Sequence, residues 1–347
     1  MRALRLPDWG LPPVLTDVDR PTPRDGEVLL RVEAAGLCHS DLHVIDASPG
    51  GMPFRPPFTL GHEIAGRVAA VGPAVAGIAP GDRVAVYGPW GCGECRRCSA
   101  GRDNYCDRRS ELPWAGAGLG LDGGMAEYVL VPSARHLEPI GELDPVQAAP
   151  LTDAGLTPYH AIQKCRPALL EGSTVAVIGV GGLGHLAIQI LRTLTPSLFV
   201  LAVDVREEAL ALADRCGAHL STRMSADTGR VLRDASGGYG VDVVLDFAGT
   251  ESTLDLSARS LRADGELVVV GSGGGRLSVR KPGPLPQGGR ISLPFWGTRP
   301  ELTEVISLAR SGALRVEVER FPLSAAGEAL ARLRAGQLKG RAVLVPD

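Results

Sequence analysis

One stretch limits what this chain can become. Ser173 to Asp204 reads STVAVIGVGGLGHLAIQILRTLTPSLFVLAVD. Val175, Val177 and Ile178 form a short, β-branched apolar run of the kind that builds a buried parallel strand. Gly179, Gly181 and Gly184 follow in a G-x-G-x-x-G spacing. Leu183, Leu186, Ala187, Ile190, Leu191 and Leu194 then recur at helical intervals, so a helix opens inside the glycine loop. A second strand, Leu198 to Val203, ends on Asp204, 20 residues past Gly184. The first glycine allows a tight turn, the second lets backbone N–H groups approach a pyrophosphate, and the third lets helix and strand pack closely. An acid at the end of the second strand accepts from both ribose hydroxyls and repels a 2′-phosphate, so Asp204 points to NAD over NADP. Arg206, two residues on, weakens that preference. Gly179, Gly181, Gly182, Leu183, Gly184, Asp204 and Arg206 are therefore the candidate cofactor residues. Strand, glycines, helix, strand and acid occur in the required order, which sets this stretch apart from a merely flexible loop.

The rest of the chain divides around that unit, and 347 residues suit two domains. Up to about residue 150, short apolar runs such as Val28–Val32, Val84–Val86 and Tyr128–Val131 alternate with Gly/Pro turns, which reads as a β-rich domain. From about 151 to 290, strands and helices alternate and predict a doubly wound parallel sheet. After 290 the pattern is mixed, and Arg341–Val345 reads as a strand returning to the first domain. The expected boundaries are 1–152 with 291–347 for the β-rich domain, and 153–290 for the nucleotide domain. The Gly- and Pro-rich segment 273–289 reads as a surface loop. A net charge of −3 gives no electrostatic case for nucleic acid or an anionic membrane. The N-terminus, MRALRLPDWG, lacks a signal-peptide core, and no segment has the apolar length of a membrane span, so the expected compartment is the cytoplasm.

Cysteine usage points to metal. Cys92, Cys95, Cys98 and Cys106 lie within fifteen residues. Four thiolates on one short loop complete a tetrahedral zinc shell with no open position, which is a structural rather than a catalytic site. An iron–sulfur cluster uses similar spacing and is the main rival. Upstream, Cys38-His39-Ser40-Asp41-Leu42-His43 follows a predicted strand, and Gly61-His62-Glu63 comes shortly after. Cys38 and His62 can form part of a second site. Catalytic zinc takes three protein ligands and keeps one position open, and on pattern alone the third ligand is Asp41, Glu63 or Asp153.

GLCHSDLH, GHE, the four-Cys loop and GVGGLG, in this order and at these separations, resemble the zinc-dependent alcohol dehydrogenases of the medium-chain dehydrogenase/reductase superfamily. The resemblance spans essentially the whole chain. AGLCHSD, VYGPWGCG, SARHL, PLTDAGLTPYHAI and FWGTR are most similar to the bacterial NAD-dependent secondary-alcohol dehydrogenases. The resemblance implies a Rossmann domain inserted into a GroES-like catalytic domain. It implies two zinc ions per subunit, one structural on the four cysteines and one catalytic on Cys38, His62 and Asp153. Glu63 would lie behind the ligands and bind the metal transiently, and Asp41 would orient His62. Many relatives have Cys where this chain has Asp153, so that ligand departs from the commoner pattern.

The implied chemistry is hydride transfer between NAD(H) and a secondary alcohol/ketone pair. Zinc acts as the Lewis acid, and Ser40 and His43 relay the proton to solvent. Thr157, His39, Arg341, Gly271 and Ser272 match positions that contact the cofactor, with His39 and Arg341 near the pyrophosphate. Tyr87 or Trp90, Phe54, Phe295 and Trp296 are the substrate-pocket candidates. A polyol or primary-alcohol dehydrogenase of the same superfamily is the alternative, and a homotetramer is the assembly the resemblance implies. A zinc-free reductase of the same fold would lack Cys38, His62 and the four-Cys loop. From other classes, a zinc-ribbon nucleic-acid module would use Arg96, Arg97, Arg102, Arg108 and Arg109, and a non-catalytic sensor would bind cofactor without turnover.

Overall fold

The computed structural model describes all residues, 1–347. They form two compact units, Met1–Leu156 with Trp296–Asp347, and Thr157–Phe295. The change-over points fall a few residues beyond the expected ones. The first lies inside an unbroken helical run, Pro145–Pro150, Leu151–Gly155 and Leu156–Cys165, so no composition break marks it.

The first unit is the β-rich one. Its seven-stranded sheet runs Leu137–Pro139, Arg83–Val86, Glu63–Val71, Val28–Leu37, Arg341–Val345 and Val318–Pro322, with Tyr128–Val131 also pairing with Val28–Leu37. A smaller sheet joins Val14–Asp17, Arg2–Leu6 and Phe58–Thr59. The C-terminal strand lies antiparallel to Val28–Leu37, with Leu37 opposite Ala342. Gly36 in turn pairs with Glu63. Three distant parts of the sequence thus lie side by side at one end of three central strands, where Cys38, Glu63 and Arg341 emerge. Leu6, Leu30, Leu60, Ile64 and Met125 are fully buried beneath this sheet, and each contributes about 1.5–3 kcal/mol of burial free energy.

The second unit is a six-stranded, all-parallel sheet. In spatial order its strands are Leu220–Arg223, Phe199–Asp204, Thr174–Ile178, Val241–Asp246, Leu261–Val269 and Arg290–Ser292. Numbered along the sequence this is 3-2-1-4-5-6, the doubly wound Rossmann order, in which the chain reverses direction between strands 1 and 4. The glycine loop leaves strand 1 at that switch point. Gly184 opens the helix Gly184–Leu194, and a Cβ there would collide with the carbonyl oxygen of Gly179. The close turn requires glycine. Residues 273–289 contain no helix or strand and are mostly exposed.

Candidate metal and cofactor sites

Cys38 follows the strand Val28–Leu37 and caps the helix His39–Ile45. Its backbone N–H donates to Asp41 Oδ2 at 2.8 Å. His62 immediately precedes the strand Glu63–Val71. Asp153 sits in the wide π-turn Leu151–Gly155, the kind of helix irregularity that concentrates at functional sites. These elements bring Cys38, His62 and Asp153 together with one donor atom from each within 4.8 Å of the others. Cys38 Sγ lies 3.4 Å from Asp153 Oδ2, and His62 Nε2 lies 3.7 Å from the same oxygen. A tetrahedron with zinc bonds of about 2.0–2.3 Å has edges of about 3.3–3.8 Å. One sulfur, one nitrogen and one oxygen at these separations fit a zinc ion with one position left open.

The groups behind the donors are buried and ordered. Asp41 Oδ1 stands 3.3 Å from His62 Nδ1, and the two side chains are 0% and 2% exposed. Burial disfavours a charged His62, but the Asp41 and Asp153 carboxylates outweigh it and hold its pKa well above the ordinary value. Glu63 accepts from Ala154 N at 3.1 Å. It also takes both arms of the Arg341 guanidinium: Nε at 3.0 Å on Oε2, and Nη2 on Oε1. Burial pushes the Glu63 carboxyl up, to about 7, against the pull of Arg341. A Cβ on Gly36 would occupy the space of the Glu63 carboxylate, so the sheet admits this acid here only beside glycine. Arg341 opens the last strand of the chain. It is 3% exposed and committed to Glu63, with Nη2 also 3.3 Å from Asp153 Oδ2.

The remaining expectations in this unit divide. Ser40 is half-buried, with Oγ 3.6 Å from Cys38 Sγ. His43 is exposed three residues on along the same helix, and His39 is exposed at its start. Of the aromatic candidates, Tyr87 and Trp90 are core residues, tied by Tyr87 Oη to Gly297 O at 2.7 Å and by Trp90 Nε1 to Tyr87 O at 2.8 Å. Phe54 packs edge-on against Phe58 in the core, and Phe295 is exposed. Trp296 meets the donor set. Its ring stands edge-on to His62 at 5.5 Å, and its Nε1 donates to Thr152 O at 2.8 Å. Its φ of 52° is rare for a bulky residue and costs about 1–3 kcal/mol.

The four cysteines of the loop also converge, all donor atoms within 4.8 Å, with Cys92 Sγ 4.0 Å from Cys98 Sγ. Sulfurs on a single zinc lie about 3.8 Å apart, and an iron–sulfur cluster would spread them further. Backbone N–H groups of Cys95, Cys98 and Cys92 donate to Cys92, Cys95 and Cys106 at 3.3, 3.5 and 3.4 Å, which favours thiolates. Asp103 anchors the loop from within, completely buried and 2.6 Å from Arg135. Arg97 pairs with Asp107, Arg108 with Glu111 and Glu94, and Arg109 bonds the backbone oxygens of Trp114 and Asp103.

In the second unit the glycine loop and Asp204 are joined. Asp204 Oδ2 accepts from Val180 N at 2.7 Å, and Oδ1 accepts from Arg206 N at 3.0 Å, with Arg206 Nε 3.6 Å away. Thr157 is buried. Gly271 and Ser272 follow the strand Leu261–Val269, and Gly271 packs so closely on Phe247 and Ala248 that a side chain would not fit. Two residues escaped the sequence reading. Asp246 ends the fourth strand and accepts from Ala248 N and Gly249 N, both at 2.9 Å. An acid closing an apolar strand is the same signal that marked Asp204. His185 is fully buried with Nδ1 2.8 Å from Gly181 O, and nothing in its spacing pointed to that contact.

Comparison with known proteins identifies the family of both domains. Residues 24–142 match the alcohol dehydrogenase GroES-like domain, and residues 182–311 match the zinc-binding dehydrogenase domain. An NAD-dependent alcohol dehydrogenase of Sulfurisphaera tokodaii is 38% identical over the full length of both chains. The solved alcohol dehydrogenase of Aeropyrum pernix superposes with a TM-score of 0.92 at 36% identity, covering 100% of each chain. The acetophenone reductase of Geotrichum candidum, solved in complex with NAD, gives a TM-score of 0.87 at 34% identity and covers 99% of this chain and 96% of its own.

Proposed function

The chain belongs to the zinc-dependent alcohol dehydrogenases of the medium-chain dehydrogenase/reductase superfamily, and from that premise we propose that it interconverts secondary alcohols and ketones with NAD(H). The observation that carries the reading is the convergence of Cys38, His62 and Asp153 at zinc-like separations, three donors for an ion that takes four. The ketone-reducing neighbour that binds NAD supports the secondary-alcohol class.

Bound zinc supplies a Lewis acid for the substrate oxygen, and bound NAD supplies the hydride acceptor. The chain's own residues do the rest. Cys38, His62 and Asp153 hold the catalytic ion, and Asp41 fixes the imidazole so that Nε2 faces it. Ser40 Oγ, beside the donor set, takes the hydroxyl proton, and His43 passes it to solvent. Trp296 forms a wall against His62 and limits the substrate's bulk. Main-chain N–H groups of the loop Gly179–Gly184 cradle the pyrophosphate, and Asp204 accepts from the ribose hydroxyls. Arg206, Thr157, Gly271, Ser272, His39 and the remaining nitrogen of the Arg341 guanidinium complete the cofactor contacts. Cys92, Cys95, Cys98 and Cys106 hold a second, structural zinc, giving two ions per subunit.

No helix is long and apolar enough to cross a membrane. We read the protein as a cytoplasmic homotetramer, and a monomeric mass by light scattering would overturn that assembly. The deciding experiment follows NADH formation with NAD and a small secondary alcohol, before and after treatment with a chelator. Turnover lost with the metal and restored by zinc supports the reading. Turnover confined to polyols or primary alcohols would move the substrate class, and no turnover in a zinc-loaded, NAD-binding protein would leave the fold standing and move the reading to another substrate class or to a non-catalytic role.

A further inference from the structure

Arg341 enters the metal centre from the last strand and divides its hydrogen bonds between two carboxylates. Its Nε and Nη2 grip Glu63, and the same Nη2 donates to Asp153 Oδ2 at 3.3 Å. That Asp153 oxygen is the atom lying 3.4 Å from Cys38 Sγ and 3.7 Å from His62 Nε2. One guanidinium nitrogen is therefore shared between a donor of the metal triangle and the neighbouring acid. Both acids are hard oxygen donors that suit a divalent ion, and Glu63 is covalently next to His62. Apart from Arg341, the Glu63 carboxylate is held by Ala154 N. Burying three charges together costs more than packing apolar groups of the same volume, so a fully buried fork of this kind calls for a reason beyond stability.

We propose that Arg341 is a positioning residue that selects the third metal donor, holding Asp153 Oδ2 in the triangle and both oxygens of Glu63 out of it. The inference rests on the metal-site reading above. Without the guanidinium, the Glu63 side chain keeps a single backbone partner, and both its oxygens would move onto the metal beside Cys38, His62 and Asp153, raising a four-coordinate ion to five-coordinate. Lysine at this position restores the charge but not the fork, and holds one acid at a time.

Cobalt(II) in place of zinc tests this without turnover, because its visible absorption reports coordination geometry. Subtracting the spectrum of the same protein carrying Cys38→Ser removes the contribution of the four-Cys site. The expected result is a strong four-coordinate band in the natural protein and a band weaker by roughly two-fold or more in Arg341→Gln. The band returns in Arg341→Gln/Glu63→Gln, which replaces the ion pair by two amides of similar shape. An undiminished band in folded Arg341→Gln overturns the proposal, as does a double variant that fails to recover it. If Arg341→Gln does not fold, Arg341→Lys carries the test: a weakened band supports the selection, and an unchanged band overturns it. If Cys38→Ser leaves the natural protein's spectrum unaltered, the metal-site reading itself is wrong, an outcome separate from failure of the selection.

Discussion

Asp41 Oδ1 and His62 Nδ1 face each other at 3.3 Å in the protein interior, and neither atom has another hydrogen-bonding partner. The other oxygen of Asp41 receives the backbone N–H of Cys38. One carboxylate therefore sets the direction of two of the three candidate zinc donors. A proton on Nδ1 satisfies both atoms and leaves the Nε2 lone pair for the metal. Asp41→Asn keeps the shape but removes the charge that stabilises this tautomer. Zinc affinity at this site should fall about 10–100-fold, read by chelator competition against the unaltered four-Cys site. An affinity within two-fold of the natural protein would show that Asp41 is only a helix cap.

The raised pKa of His62 gives zinc binding a pH dependence whose sign can be worked out. Burial opposes the charge, but the carboxylates of Asp41 and Asp153 prevail, so the metal-free imidazole stays protonated above its ordinary value of 6.5. Zinc must displace that proton. Affinity should therefore rise with pH, already weakening as pH falls from above 6.5, by about tenfold per unit for each proton displaced. Competition titrations between pH 6 and 8 check this, and a flat profile would mean that no proton leaves on binding.

Ser40 and His43 stand three residues apart on one short helix, a spacing that makes them neighbours on its surface. Ser40 is half-buried beside Cys38, and His43 is exposed. That gradient suits a proton leaving the site. Ser40→Ala should lower the rate of alcohol oxidation by about 10²–10⁴ while leaving NAD binding intact. His43→Ala should slow oxidation mainly at low pH, and an unaltered pH–rate profile would remove it from the relay.

The parts legible in the sequence were those whose chemistry is local. The loop from Gly179 to Gly184 and the cluster from Cys92 to Cys106 carry their partners within a few residues, so spacing alone exposed them. The third zinc donor was not fixed by pattern. Asp153 reaches Cys38 and His62 only because a π-turn points it there, and no residue periodicity encodes a π-turn. Arg341 shows the same limit more strongly. Its partner Glu63 lies 278 residues away, joined to it through strand pairings that only the folded sheet creates. The five aromatic pocket candidates could not be separated by type, since Tyr87 and Trp90 differ from Trp296 in surroundings rather than in chemistry.

Asp204 has two tasks, because the carboxylate that would read the ribose also accepts from Val180 N inside the glycine loop. Asp204→Gly removes both. It should raise the KM for NAD about 10–100-fold, the equivalent of one hydrogen bond to a charged group, and narrow the gap between NAD and NADP. Asp204→Asn keeps an oxygen for Val180 N and removes the charge that repels a 2′-phosphate. It should narrow the same gap with a smaller loss for NAD. Equal cofactor ratios in the natural protein and both variants would mean that Asp204 serves the loop and not the ribose.

The four cysteines should differ in reactivity once metal is removed. The backbone N–H of Cys98 stabilises the Cys95 thiolate and brings its pKa down to about 6, whereas burial pushes Cys98 far up. The thiolate is the species that alkylates. In metal-free protein, iodoacetamide should therefore label Cys95 first, with a rate reaching half its maximum near pH 6, and Cys98 last. Adding zinc should protect all four together, because each thiolate donates charge to the ion and is a weaker nucleophile than the free anion. Peptide mapping by mass spectrometry after a timed pulse reads both effects. Labelling of Cys95 that zinc does not slow would place that residue outside the shell, and the loop would then lack the fourth sulfur that makes the site structural.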